Sequence, residues 1–381
     1  MAELRDLHAH ITGSIDSDGL IEMIERNKLH ISDTDRIDSI TKPLGIRLAS
    51  ELIKDPESAK NSFRELYPCR PDGKINFDSI MKRFILTSYL VSAVPDAEEE
   101  IGEIVARRFK RQGVGYVEWR VDPFSATAHQ SADEGSDKLH RFYGGFSKVK
   151  GIDSRLILSI AKNRYGSNWM PIPEKIAYLR EQMMGLFDRV SDLPIVGIDA
   201  VNKDEIPLSS LESVLSLAAE NGLAIVPHVG EMDSHDLETD LDNAETALRL
   251  GAKRLGHAVS VYAPLDRFYG LKDASGVLYG PARMSKLRYK QKGIMNLLAE
   301  KQVAVEVCPT SNMAAHLGIK DYSLHPVNRL IEEGIPFVVC TDDYGIFGSS
   351  LKNEIYSISR AKSIDEDKII SNSIKYSADN L

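Results

Sequence analysis

Eight short runs of β-branched and apolar residues recur along the 381-residue chain, each separated from the next by a longer stretch with helical periodicity. The runs are roughly Leu4–His8, Val114–Val121, Leu156–Ile160, Ile195–Asp199, Leu223–His228, Arg254–Ala258, Val303–Cys308 and Phe337–Thr341. Several are apolar almost throughout, as expected of parallel strands covered by helices on both faces; strands with one wet face would alternate instead. Amphipathic stretches between them include Ser17–Asn27, Asn76–Ser92, Asp96–Gln112, Pro173–Val190, Leu208–Glu220, Asp240–Leu250 and Pro326–Glu333, with Asp96 in the position of a helix cap. Asn221-Gly222, Gly251 and Gly334 stand just before strands, where a helix must end. Eight such units predict an α/β fold, a single (β/α)8 TIM-type barrel.

A chain of this length could also form two ordinary domains. No Pro/Gly/Ser-rich linker or internal repeat divides it, so one domain over residues 1–381 is expected. Two stretches, about 32–74 and 260–292, exceed ordinary barrel connections and read as inserted helical lid segments. Forty-seven Lys and Arg stand against 56 Asp and Glu, a net charge of −9, which gives no general attraction to nucleic acid or to an anionic membrane. No run reaches the about 18 apolar residues of a membrane span, and Met1-Ala2-Glu3-Leu4-Arg5-Asp6 lacks the features of a secretory signal. Cys69, Cys308 and Cys340 cannot build a disulfide framework, and Cys308 and Cys340 fall in strands as core. A cytoplasmic enzyme acting on a small molecule fits these features.

In barrel enzymes the chemistry gathers at the carboxyl ends of the strands. Those ends carry His8 and His10 on the first strand, His228 and Glu231 on the fifth, His257 on the sixth, and Asp342 and Asp343 on the eighth. Four of the ten histidines fall in this small fraction of the chain. His8 and His10 lie two residues apart on an extended segment, so both imidazoles project from one side and can converge on one ion. With His228 and Asp342 they make a set of three nitrogens and one oxygen suited to zinc with room for water. A water so held needs a base and a leaving group needs protons; His257 and Asp343 suit the first task, and Glu231 can face the substrate.

The segments Asp6-Leu7-His8-Ala9-His10-Ile11-Thr12-Gly13-Ser14-Ile15, Tyr116-Val117-Glu118-Trp119-Arg120, Val196-Gly197-Ile198-Asp199, His228-Val229-Gly230-Glu231, Arg254-Leu255-Gly256-His257, Glu306-Val307-Cys308-Pro309-Thr310-Ser311-Asn312 and Thr341-Asp342-Asp343 together resemble the adenosine deaminase family of the amidohydrolase superfamily. The resemblance runs in order from about residue 4 to about residue 360. It implies one zinc per chain on His8, His10, His228 and Asp342, with Glu231, His257 and Asp343 catalytic. The implied reaction is hydrolytic deamination of a 6-aminopurine nucleoside, adenosine or 2′-deoxyadenosine, in which a protonated Glu231 serves ring N1 while His257 and Asp343 orient the attacking oxygen.

Substrate-orienting positions depart from the family pattern. Thr12 stands where an acidic or amide residue is usual, and Val201-Asn202-Lys203-Asp204-Glu205 lacks the usual glycine; Tyr344 replaces a proline. Thr12, Asn202 and Ser311 are the candidates for substrate contact, and Ser311 and Asn312 also read as turn residues. Three other readings stay open. One is a deaminase of adenine or of an N6-substituted nucleotide such as N6-methyl-AMP, with Arg283, Lys286, Arg288, Lys290 and Lys292 either meeting a phosphate or forming a solvated helical face. Another is a two-metal amide or ester hydrolase, which commonly needs a carboxylated lysine at the end of the fourth strand, and the last is an inactive purine-binding barrel.

Overall fold

Nine strands form in the computed structural model, which describes residues 3–69, 77–124, 131–162, 172–201, 207–231, 236–273, 275–315 and 319–380. They are β1 (Leu4–His10), β2 (Val114–Val121), β3 (Asp153–Ala161), β4 (Ile195–Val201), β5 (Ala224–Ile225), β6 (His228–Val229), β7 (Arg254–His257), β8 (Ala304–Val307) and β9 (Phe337–Val339). All neighbours are parallel, in a five-stranded sheet β1-β2-β3-β4-β5 and a four-stranded sheet β6-β7-β8-β9.

The fifth predicted strand is found as the two short pieces β5 and β6, and Pro227 between them explains the break, since it has no N–H to give to a ladder. The segment still joins the two sheets. Val226 N–H donates to Ile198 O at 2.9 Å on the β4 side, and Gly256 N–H donates to Pro227 O at 2.9 Å on the β7 side. On the other flank the chain beyond β9 returns to β1. Asp342 N–H donates to His8 O at 2.8 Å, His10 N–H donates to Asp342 O at 3.1 Å, and the Thr341 hydroxyl donates to Asp6 Oδ2 at 2.6 Å. These bonds complete a ring of eight strand positions, the β/α barrel expected from the sequence.

Apolar strand residues and the inner faces of the surrounding helices make one large core cluster, in which Cys69 is buried; Cys308 and Cys340 are buried with Leu7, Ala304 and Val338 in a smaller one. Helix Ala97–Arg111 carries Glu98, Glu99 and Glu100 in its first turn and Arg108, Lys110 and Arg111 in its last, matching the helix dipole. Asp96, expected as its cap, takes φ 56° and makes no side-chain capping bond. Helix Ala132–Ser147 begins with a capping box, Ser131 and Glu134 each satisfying the other's backbone N–H.

The first predicted insert is helical over its described part, with short helices Thr34–Thr41, Leu48–Lys54 and Pro56–Leu66. Much of the second is the ordinary helix of its βα unit, Pro281–Lys301, so the added material shrinks to about 258–280. Arg283 on that helix pairs with Glu238 and Asp273, each at 2.7 Å; Arg288 pairs with Asp266 at 2.5 Å, Lys290 with Asp242 and Glu245, and Lys292 with Glu333. Four of the five basic residues of the run are thus held in ion pairs along a helix face. Among the described residues no helix is long and apolar enough to cross a membrane.

Candidate active site

Strand β1 alternates its side chains, so His8 and His10 project to the same side at its carboxyl end. His8 Nε2 lies 3.3 Å from His10 Nε2, which lies 3.2 Å from His228 Nε2 at the start of β6. Asp342 Oδ1 is 3.6 Å from His8 Nε2 and 3.4 Å from His10 Nε2. Four ligand atoms from three places in the chain therefore meet at one point. Four donors at about 2.0–2.1 Å around a tetrahedral zinc would stand about 3.3 Å apart, which is the spacing found.

Two of the converging imidazoles, those of His8 and His228, have their far nitrogen occupied. His8 Nδ1 is 2.8 Å from Glu306 Oε2, and His228 Nδ1 is 2.9 Å from Asp199 Oδ1; all four side chains are buried. A carboxylate accepts the Nδ1 proton, which leaves the Nε2 lone pair of each ring aimed at the other nitrogens. Lone pairs facing one another at this range repel, and a cation among them removes the conflict. Burial holds His8, His10 and His228 well below the usual imidazole range, reinforced at all three by the Arg120 guanidinium, at His8 and His10 by neighbouring imidazoles and at His228 by Lys162. They are neutral, as metal ligation requires. Burial pushes Asp342 up to about 7 against a hydrogen bond from Ser311.

Arg120, on β2, ties the two supporting carboxylates together, with Nε 2.8 Å from Asp199 Oδ2 and an Nη 2.6 Å from Glu306 Oε2. Arg254 on β7 takes the other oxygen of Glu306 at 2.7 Å and also pairs with Glu118. These five charged side chains are at most 1% exposed and lie inside the barrel beneath the histidines. Their mutual pairing offsets a desolvation cost of several kcal/mol per ion. The sequence places Glu118, Arg120 and Glu306 in otherwise apolar strands. Buried charges there demand partners, and this signal could have revealed the support beneath His8 and His228.

The three expected proton handlers surround the same point. His257 Nε2 is 4.0 Å from Glu231 Oε1 and 3.8 Å from Asp342 Oδ2. His257 is fully buried, whereas 32% of the Glu231 side chain and 20% of the His10 side chain are accessible, so these two mark the open side of the site. Asp343 is buried, and Oδ1 has no hydrogen-bond partner among the described residues. Burial, then the charges of Asp342 and Glu231, push its carboxyl well above the usual range. Gly13 makes room for it. A Cβ at residue 13 would stand 1.7 Å from Asp343 Oδ1.

His257 and Asp342 hold left-handed backbone, φ 53° and 61°, unusual for residues other than glycine. Such strain concentrates where a side chain must be aimed. Of the expected substrate contacts, Thr12 is half-buried just beyond β1, Ser311 bonds to Asp342, and Asn202 lies outside the described residues.

Residues 56–378 match the sequence profile of the adenosine deaminase family. An aminodeoxyfutalosine deaminase of Acidothermus cellulolyticus is 23% identical over 360 residues, covering 92% of this chain and 80% of that protein. An adenosine deaminase of Clostridium acetobutylicum is 23% identical over 363 residues, covering 93% and 85%. Among solved structures, the N6-methyl-AMP deaminase of Arabidopsis thaliana superposes with a TM-score of 0.64 at 19% identity, covering 99% of this chain and 92% of that one. With its barrel shared and most of its length matched to the profile, the chain belongs to the adenosine deaminase family.

Proposed function

We propose that this protein is a zinc-dependent hydrolytic deaminase of 6-aminopurines, with adenosine and 2′-deoxyadenosine as its substrates. The observation that carries this reading is the convergence of His8, His10, His228 and Asp342 on one point, with Glu231, His257 and Asp343 around it. One Zn2+ per chain held by those four ligands would supply a Lewis acid and lower the pKa of water.

The protein's own groups do the rest. His257 and Asp343 hold and orient the attacking water beside C6. Glu231, on the accessible side, donates a proton to ring N1, so that C6 gains an oxygen without building negative charge on the ring. Collapse breaks the C6–N6 bond, and ammonia leaves with a proton from the same groups. The 6-oxopurine remains. Burial of His257 and Asp343 keeps bulk water away from these transfers.

Three features favour this reading over its rivals. The other potential donor groups, His8 with His257 and Cys308, and His228 with Glu231 and His257, reuse the same histidines, so the described residues hold no independent second metal set. Near the end of β4 the side chain of Asp199 is engaged with His228 and Arg120, and Lys203 lies outside the described residues. The basic residues Arg283, Arg288, Lys290 and Lys292 are held in ion pairs, which favours an uncharged nucleoside over a nucleotide. Amine release from adenosine, 2′-deoxyadenosine, adenine, AMP and N6-methyl-AMP tests the proposal. The nucleosides should show the highest kcat/KM; a preference for a nucleotide or the free base would overturn the substrate assignment.

A further inference from the structure

Behind His257 lies a buried amide that the chemistry above does not use. Asn312 is fully buried, on the short helix Pro309–Ala315 that starts directly after β8. Its Nδ2 is 3.0 Å from His257 Nδ1, and its Oδ1 is 3.2 Å from Nε2 of His325, another fully buried histidine. The amide therefore stands between two imidazoles, offering a donor to one and an acceptor to the other. Its frame is firmly held. Asn312 N–H donates to Cys308 O at 2.8 Å, Thr310 N–H donates to Glu354 Oε2 at 3.2 Å, and the Thr310 hydroxyl meets both Glu354 and Tyr322.

We propose that Asn312 is a positioning residue that fixes the tautomer of His257, and that His325 fixes the amide. An imidazole nitrogen can face an amide oxygen favourably only as N–H, so His325 carries a proton on Nε2. The Asn312 NH2 then points at His257 Nδ1, which must offer its lone pair. A neutral imidazole has one proton, and at His257 it is left on Nε2. That nitrogen faces Glu231 Oε1 and Asp342 Oδ2, the side on which the reaction is placed.

The consequence for the chemistry is specific, and it rests on the deaminase reading above. His257 would enter the reaction as a hydrogen-bond donor to the attacking oxygen, orienting it and stabilising its charge, and would not act as the first acceptor of its proton. The acceptor is then another group of the site, not His257. The left-handed backbone at His257 and Ala258, φ 53° and 50°, sets the direction in which the His257 side chain leaves the strand end.

Ring-15N NMR of the full-length protein reads the tautomer without reference to activity. His257 should carry its proton on Nε2 in both metal-free and zinc-loaded protein. Asn312→Asp replaces the donor with an acceptor and should move the proton to Nδ1; kcat should fall roughly 10-fold or more while KM changes little, the mark of a group acting in the transition state. His325→Gln keeps a donor toward Asn312 and should preserve the wild-type tautomer, whereas His325→Leu should let the amide rotate and lose it. This pair decides the matter if Asn312→Asp does not fold. A wild-type proton on Nδ1, or a tautomer indifferent to both His325 variants, would overturn the proposal. If no aminopurine is turned over, the deaminase reading fails by itself, and the NMR result still decides the role of Asn312.

Discussion

Glu231 separates a purine deaminase from a general metal hydrolase, because only an aromatic carbon needs its ring protonated before attack. It lies 4.0 Å from His257 yet outside the ligand set of His8, His10, His228 and Asp342. Glu231→Gln keeps the shape and loses the transferable proton. Zinc content should be unchanged and kcat should fall by roughly 10²–10⁴; loss of metal in the variant would make Glu231 a ligand. Glu306 makes the converse case. It meets His8, Arg120 and Arg254 and touches no reacting atom, so Glu306→Gln should weaken zinc affinity by about 10–100-fold, measured by chelator competition. Unchanged affinity would show that His8 needs no support. At this scale the sequence was legible for residues at strand ends, such as His8 or Asp342, where position alone brings side chains together at the carboxyl end of the barrel. It was less legible for Glu306 and Asp199, whose partners come from other strands and whose pairing appears only when the ring closes.

Among the elements, the turn after β1 and the helix after β8 aim the site. Gly13 is needed for space, since a Cβ there would collide with Asp343. Gly13→Ala should therefore cost roughly 10²-fold in kcat with metal retained, because a displacement of about 1 Å is enough to spoil alignment. Wild-type kinetics in that variant would remove Asp343 from the chemistry. Glu354, which holds the first turn of Pro309–Ala315, is pushed by burial from the usual 4.5 to about 7. The folded state keeps this proton where the unfolded state has released it, so stability contributed by the group falls as pH rises from about 4.5 to about 7. Relative to Glu354→Gln, the wild type should lose on the order of 3 kcal/mol across that interval and nothing further above it, as followed by denaturant unfolding. A constant difference would contradict the burial of an ionisable carboxyl. Neither feature could be read from the sequence. Gly13 gave no sign of its neighbour 330 residues away by number, and Glu354 sits on a helix face whose burial depends on what packs against it.

For the molecule as a whole, apolar runs separated by helical stretches were enough to predict a barrel, because parallel strands buried on both faces leave few other arrangements. The split between β5 and β6 was not foreseen, although Pro227 was its signal, and the second insert was drawn too long because its second half is the helix Pro281–Lys301 that every βα unit carries. The ring brings β1, β6 and the chain beyond β9 to one point, and there the proposed ion has all its ligands from a single chain. Titrating zinc into metal-stripped protein while following conversion of adenosine to inosine and ammonia tests this directly. Activity should rise linearly and level off at one equivalent per chain. A plateau at two equivalents, or full binding of one equivalent with adenosine untouched, would contradict a one-metal adenosine deaminase.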